Sequence, residues 1–284
     1  MPVPHHTGRC KSGELEIFYR RLGNRALTPI LFVHGLSYFS YDWLAVAAAF
    51  GAARECVALD LRGFGDSSWS KDYSVPAMVQ DLANLLEHLG WRQAIVLGHS
   101  MGGRSAAWLA ARQPQRVKGL VLVDYSPDNA PAGSRRTATA VASMPEAFAS
   151  VDEAMKYFNA GKPKRARFEA YLKPVPGGYA VKRDPHFRDQ FRRSLETGER
   201  PKLGVDMWQI VRELRCPVLS VRGTRSDMYA AETAERMKAA NPRLRVVEVD
   251  AGHDIGGENP DGLIAAMQPF VAELEKEESH ERTP

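Results

Sequence analysis

The chain has little cysteine: only Cys10, Cys56 and Cys216 among 284 residues. So sparse and odd a set, with no C-x-x-C pair, supplies neither a disulfide framework nor zinc-finger ligands. Cys56 and Cys216 lie in or beside apolar strand runs and read as inert core thiols. Long hydrophobic runs are missing too. None approaches the ~20 residues of a membrane-spanning helix, and Met1 to Gly13 lacks the apolar segment of a secretory signal. The expected setting is therefore a reducing cytoplasm, away from membrane. A strong excess of one charge is also absent. The net charge of +4 is too mild to argue for nucleic acid, and no nucleic-acid motif accompanies it. No metal, flavin or nicotinamide motif is found, so no cofactor is expected. His5 and His6 sit in a polar N-terminal tail, expected to fray, without further ligands for a metal. There are no internal repeats and no low-complexity segments.

What is present is a globular composition, 44% hydrophobic and 25% charged, long enough for one large domain or a domain with an inserted subdomain. Glu14 to Arg20 alternates and reads as a strand. Pro29 to Val33, Glu55 to Leu59, Ala94 to Leu97, Val117 to Val123, Pro217 to Val221 and Arg245 to Val249 read as short strands, several of them continuous apolar runs of the kind buried on both faces. Helical patterns cover Tyr41 to Phe50, Val75 to Leu89, Gly103 to Ala111, Glu232 to Ala240 and about Pro260 to Glu275. Strands alternating with helices predict an α/β fold with a mostly parallel sheet covered on both faces. The tail from Lys276 is polar and expected to be disordered. Between Asp124 and Pro217 lie roughly 90 residues, far more than a crossover needs. Val151 to Asn159 and Pro185 to Leu195 look helical there, separated by turns such as Lys173 to Gly178. We read residues 125–210 as an inserted helical cap on a core of 1–124 and 211–284.

The pentapeptide Gly98-His99-Ser100-Met101-Gly102 joins a strand to a helix and matches G-x-S-x-G, the nucleophile elbow. A serine hydroxyl is a weak nucleophile unless held exposed beside a base. The glycines leave room for the sharp turn, and the following helix points its N-terminus at the site, where negative charge is favoured. The bland alternative for Ser100 is a helix N-cap. In open α/β sheets ligands bind at the carboxyl ends of the strands. His34-Gly35, Ser100, Asp124, Asp227 and His253 each follow a strand, which places them on one rim in the order Ser, Asp, His. Asp60 to Ser67 contains glycines but no following Gly-Lys-Ser/Thr, so it reads as a structural turn rather than a phosphate loop.

Together His34-Gly35, Asp60 to Ser67, Gly98 to Gly103, Arg222 to Asp227 and Gly252-His253 resemble, in order over about residues 14 to 275, an α/β-hydrolase fold serine hydrolase. The resemblance implies an eight-stranded sheet with Ser100 as nucleophile and His253 as general base and later acid. It makes Asp227 the carboxylate that orients His253, with Asp124 the competing candidate, because some relatives place the acid after the preceding strand. It also implies an oxyanion hole from the backbone N–H groups of Met101 and Leu36. His34 and His99 are expected to be buried and structural, and His88 and His186 ordinary. A serine nucleophile argues against the haloalkane dehalogenases and epoxide hydrolases of this fold, which use a carboxylate. The implied substrate is a small-molecule ester or related acyl compound, as for small intracellular carboxylesterases. The alternatives are C–C cleavage, as in meta-cleavage-product hydrolases, acyl transfer to an alcohol or peroxide, or a small-molecule receptor with weak turnover. The state is expected to be monomer or dimer. Basic clusters at Arg135-Arg136, Lys162 to Arg167 and Arg192-Arg193 read as solvated surface, or one arginine binds a substrate carboxylate. Phe148, Tyr157, Phe158, Phe168, Tyr171 and Trp208 are candidates to line an acyl pocket or to pack.

Overall fold

The computed structural model describes residues 3–199 and 204–281, with side chains given through residue 276. Its strands in chain order are β1 (His6–Ser12), β2 (Leu15–Leu22), β3 (Leu27–Val33), β4 (Arg54–Leu59), β5 (Ala94–His99), β6 (Val117–Val123), a hairpin of β7 (Leu172–Val175) and β8 (Gly178–Val181), then β9 (Val218–Gly223) and β10 (Leu244–Val249). Eight of them form one sheet in the order β1-β2-β4-β3-β5-β6-β9-β10. Pairings β1–β2 and β2–β4 are antiparallel and the rest are parallel. The apolar runs explain the central strands: every residue of β4 and β5 is buried, as strands covered on both faces require.

The helices are α1 (Leu44–Gly51), α2 (Val75–His88), α3 (Met101–Arg112), α4 (Pro131–Ala142), α5 (Val151–Tyr157), α6 (Arg165–Tyr171), α7 (Pro185–Thr197), α8 (Met207–Glu213), α9 (Ala231–Ala240), α10 (Ile255–Glu258) and α11 (Pro260–Glu281). α2 begins where Ser74 accepts the Ala77 N–H, with a proline in the first turn, a start that satisfies an orphan donor and needs no N–H from Pro76. One face of the sheet packs on Val46 and Phe50 of α1 and on Leu263, Met267 and Phe270 of α11. The other packs on Leu82 and Leu86 of α2, Ala106 and Leu109 of α3, Ile210 of α8 and Met237 of α9. Full burial of a leucine such as Leu97 contributes about 1.5–3 kcal/mol of transfer free energy.

The segment between β6 and β9 holds α4 to α8; α5, α6 and β7 pack in a small core with Phe148, Ala154, Met155, Phe168 and Leu172, and α4 packs on α7. It is stitched to the turn after β4: Gly65 N–H donates to Lys182 O at 2.7 Å and Asp184 N–H to Gly63 O at 2.8 Å. Among the described residues no helix is long and apolar enough to cross a membrane.

Several local expectations change. The N-terminal stretch expected to fray forms β1 from His6 onward, because Cys10 and Ser12 turn inward and the strand pairs with β2. Lys173 to Gly178, read as a turn, is most of a hairpin, with positive φ at Gly177 and Gly178 where the chain reverses. The Tyr41 to Phe50 helix begins as a 3-10 turn over Ser40–Trp43. The last helix runs on to Glu281; residues 282–284 of the expected tail lie outside the described residues.

Candidate active site

Ser100 sits between β5 and α3 with φ 51° and ψ −116°, a conformation an L-residue adopts only when its surroundings impose it. The glycines make those surroundings possible. A Cβ on Gly98 would lie 2.6 Å from Gly102 O, and one on Gly102 would collide with the carbonyl oxygens of Val33 and His34. The flanking strand ends therefore press against the elbow and lift its side chain out of the sheet. The Ser100 side chain makes no capping bond to the helix, so the N-cap alternative gives way. Its Oγ instead lies 3.0 Å from His253 Nε2.

His253 follows β10, and its Nδ1 donates to Asp124 Oδ2 at 2.6 Å. Asp124 is thus the carboxylate that meets the imidazole, and the expected Asp227 is displaced. The cause is local. Asp124 directly follows β6, adopts φ 42°, and donates its N–H to Val221 O of β9 at 2.7 Å. Its side chain, fully buried, also accepts from Gly223 N–H at 2.8 Å and Ser226 O–H at 2.5 Å. Asp227, one residue past Ser226, turns the other way into a bidentate pair with Arg136 of α4, at 2.6 and 2.7 Å. That guanidinium holds the Asp227 carboxyl below the usual carboxylate range.

Met101 directly follows Ser100, and Leu36 follows Gly35. A Cβ on Gly35 would lie 3.3 Å from Ser100 Cβ, so the loop carrying Leu36 touches the elbow. Among the described residues neither the Leu36 nor the Met101 N–H donates to a protein acceptor. Two open backbone donors beside a hydroxyl are what a developing oxyanion requires.

His34 and His99 are buried and support this arrangement. His34 Nδ1 donates to Gly35 O at 2.7 Å and Nε2 accepts the Leu61 N–H at 2.9 Å. His99 Nε2 donates to His253 O at 2.9 Å. Burial lowers both their pKa values, that of His99 strongly, and each neutral ring positions backbone rather than exchanging protons. The Asp60 carboxylate accepts Ser40 N–H at 2.7 Å and Asp66 N–H at 2.8 Å, which gives the Asp60 to Ser67 turn its structural role.

The basic clusters are partly paired. Arg136 pairs with Asp227, Arg167 pairs bidentately with Asp42 at 2.6 and 3.0 Å, and Arg165 pairs with Asp152 and Glu169 at the surface. Phe148, Tyr157, Phe158 and Phe168 stack on one another. Phe148 and Phe168 belong to the core of the insertion, Phe158 packs against it and Tyr157 is exposed. Arg183, between Lys182 and Asp184 and outside the basic clusters, carried no signal in the sequence.

The model of the alpha/beta hydrolase family matches residues 30–266. A 3-hydroxybutyrate-oligomer hydrolase of Cupriavidus necator is 31% identical over 275 residues, covering 89% of this chain and 92% of its own. A 2-(acetamidomethylene)succinate hydrolase of Mesorhizobium japonicum is 26% identical, covering 93% and 94%. The crystal structure of E-2-(acetamidomethylene)succinate hydrolase superposes with a TM-score of 0.84 at 25% identity over 95% of this chain and 100% of that one. The sheet order, the elbow, the family match and full-length relatives that are themselves hydrolases agree, and the chain is a hydrolase belonging to the alpha/beta hydrolase family.

Proposed function

We propose that the enzyme is a serine hydrolase cleaving a carboxylic ester, or a related acyl bond, of a small molecule through an acyl-enzyme intermediate. The observation that carries this reading is the continuous line from Ser100 Oγ through His253 to Asp124, with contacts of 3.0 and 2.6 Å. In it, His253 Nε2 takes the proton from Ser100 as Oγ attacks the carbonyl carbon. The Nδ1–H bond to Asp124 holds the ring in the productive tautomer and stabilises the imidazolium. The Leu36 and Met101 N–H groups receive the oxyanion, whose charge exists only in the tetrahedral state. The imidazolium then protonates the leaving alkoxide. Water, deprotonated by the same ring, cleaves the acyl-enzyme and restores the serine. Esterase chemistry is supported by relatives named as ester-type hydrolases, among them a 27% identical esterase/lipase of Haemophilus influenzae. Three buried free thiols fit a reducing cytoplasm.

The test is hydrolysis of short p-nitrophenyl esters by the wild type and Ser100→Ala, with EDTA present. The expected loss in kcat is as much as roughly 10⁶-fold, since triad members act as a unit. Equal, slow rates in both proteins would remove Ser100 as the nucleophile and put receptor or C–C cleavage readings ahead.

A further inference from the structure

Unlike Arg62 and Arg167, which pair with Asp81 and Asp42, Arg183 is buried, only 5% exposed, without an acidic partner among the described residues. Its guanidinium makes two contacts to neutral atoms only: Nη1 donates to Ser37 Oγ at 3.2 Å and Nη2 reaches Met144 Sδ at 3.2 Å. A buried cation is costly unless an anion meets it. Asp184, the adjacent acid, is taken by Tyr73 O–H and by the N-terminus of α7. Arg167, by contrast, lies between Asp42 and three aromatic rings and is fully served.

The position of Arg183 is fixed by its backbone. Residues 182–184 are tied to Gly63 and Gly65 through the bonds given above, and Phe64 bridges Arg183 itself. The side chain is therefore preorganised rather than searching solvent. On one side it lines a cleft of about 290 Å³ with Met144, Trp69, Lys173 and Val181; of the cleft's other charged residues, Glu146 pairs with Arg188 and Asp184 is held by Tyr73. Lys173 lies 4.3 Å over the Trp69 ring and adds a second cation to that wall. On the other side Arg183 touches Ser37, the residue after Leu36 and two past Gly35, which abuts Ser100. The guanidinium therefore lies against the loop that carries the Leu36 N–H.

We propose that Arg183 is a substrate-specificity residue that binds a carboxylate carried by the acyl group, so that the preferred substrates are acidic acyl compounds such as half-esters of short dicarboxylic acids. This rests on the serine-hydrolase reading and names its substrate class. A planar guanidinium meets a carboxylate with two parallel charge-assisted bonds.

The measurement is the ratio of kcat/KM for mono-p-nitrophenyl glutarate to that for p-nitrophenyl valerate, which have acyl chains of equal length. The wild type should favour the acidic ester by roughly 10- to 100-fold. Arg183→Met should bring the ratio near unity, and Arg183→Lys should leave it in between, since lysine keeps the charge and loses the fork. Arg165→Ala, a surface pair on α6, should leave the ratio unmoved. A wild-type ratio near or below unity overturns the proposal, as does an unchanged ratio in Arg183→Met or an equal drop in Arg165→Ala. Calorimetry separates this from the chemistry and covers a Met variant that does not fold. Ser100→Ala should bind glutarate, and adding Arg183→Lys should weaken binding roughly tenfold; no binding, or equal binding, overturns the proposal. If Ser100→Ala keeps full esterase activity while glutarate binding still depends on Arg183, the nucleophile assignment fails and the carboxylate site stands.

Discussion

The sheet and the insertion above it are built by different rules. In the sheet, β4 and β5 bury every residue, and the chemistry-bearing side chains leave from strand ends whose register is set by neighbouring strands. In the insertion, five residues form the core, and no residue of β8 is fully buried. There charge pairs such as Arg167–Asp42 and Arg136–Asp227 hold the elements to the body. The strand ends offer little freedom, so Ser100, Asp124 and His253 stand at hydrogen-bonding distances. The insertion is free to change its polar and apolar lining without disturbing them. The proposed chemistry follows this division, with bond cleavage resting on the sheet and selection of the acyl group on the insertion, where Arg183 lies.

The sharpest way to break that division is the choice of acid. Asp124→Asn should lower kcat by roughly 10⁴-fold, because the amide no longer holds the imidazole in the required tautomer. Asp227→Asn should cost less than about tenfold, since it severs a half-exposed pair with Arg136. Steady-state rates on one ester decide it, and the reverse order of effects would return the role to Asp227. A second, smaller contrast concerns cooperativity. Leu97→Ala should lower global stability by about 2–5 kcal/mol, seen as a fall in Tm. Phe168→Ala removes a comparable contact from the five-residue core. It should show mainly as faster amide exchange across α5 and α6, with a smaller fall in Tm. Equal falls in Tm would show that the insertion and sheet unfold as one unit.

The smallest effect is in pH. Burial holds the folded pKa of His34 and His99 below the ordinary 6.5. Protons therefore bind the unfolded chain preferentially, and the stability these rings contribute is complete above about pH 6.5 and is lost as pH falls through it. Burial raises the Asp60 and Asp254 carboxyls, which acts in the opposite direction at acid pH, so the comparison must be differential. His99→Gln should flatten the fall in Tm between pH 7 and about 5 relative to the wild type; identical slopes would remove His99 as a contributor.

The sequence by itself determined seven strands of the sheet, the elbow and the candidate base. Continuous apolar runs admit few placements other than a buried parallel strand. G-x-S-x-G is legible because a strained turn at Ser100 requires absent side chains on both flanks. His253 was legible from its place after the last strand together with the motif order of the resemblance. The acid was decided by tertiary structure, because Asp124 and Asp227 both follow strands, and the carboxylate that meets His253 depends on how Ser226 and Gly223 fold back over β6. Strand β1 was likewise hidden: its residues are mostly polar, and pairing with β2 gives it order that its composition does not. Arg183 lay further out of reach. Its significance is a missing partner inside a buried setting, and whether a charge has a partner is settled only when residues distant in the chain have packed around it.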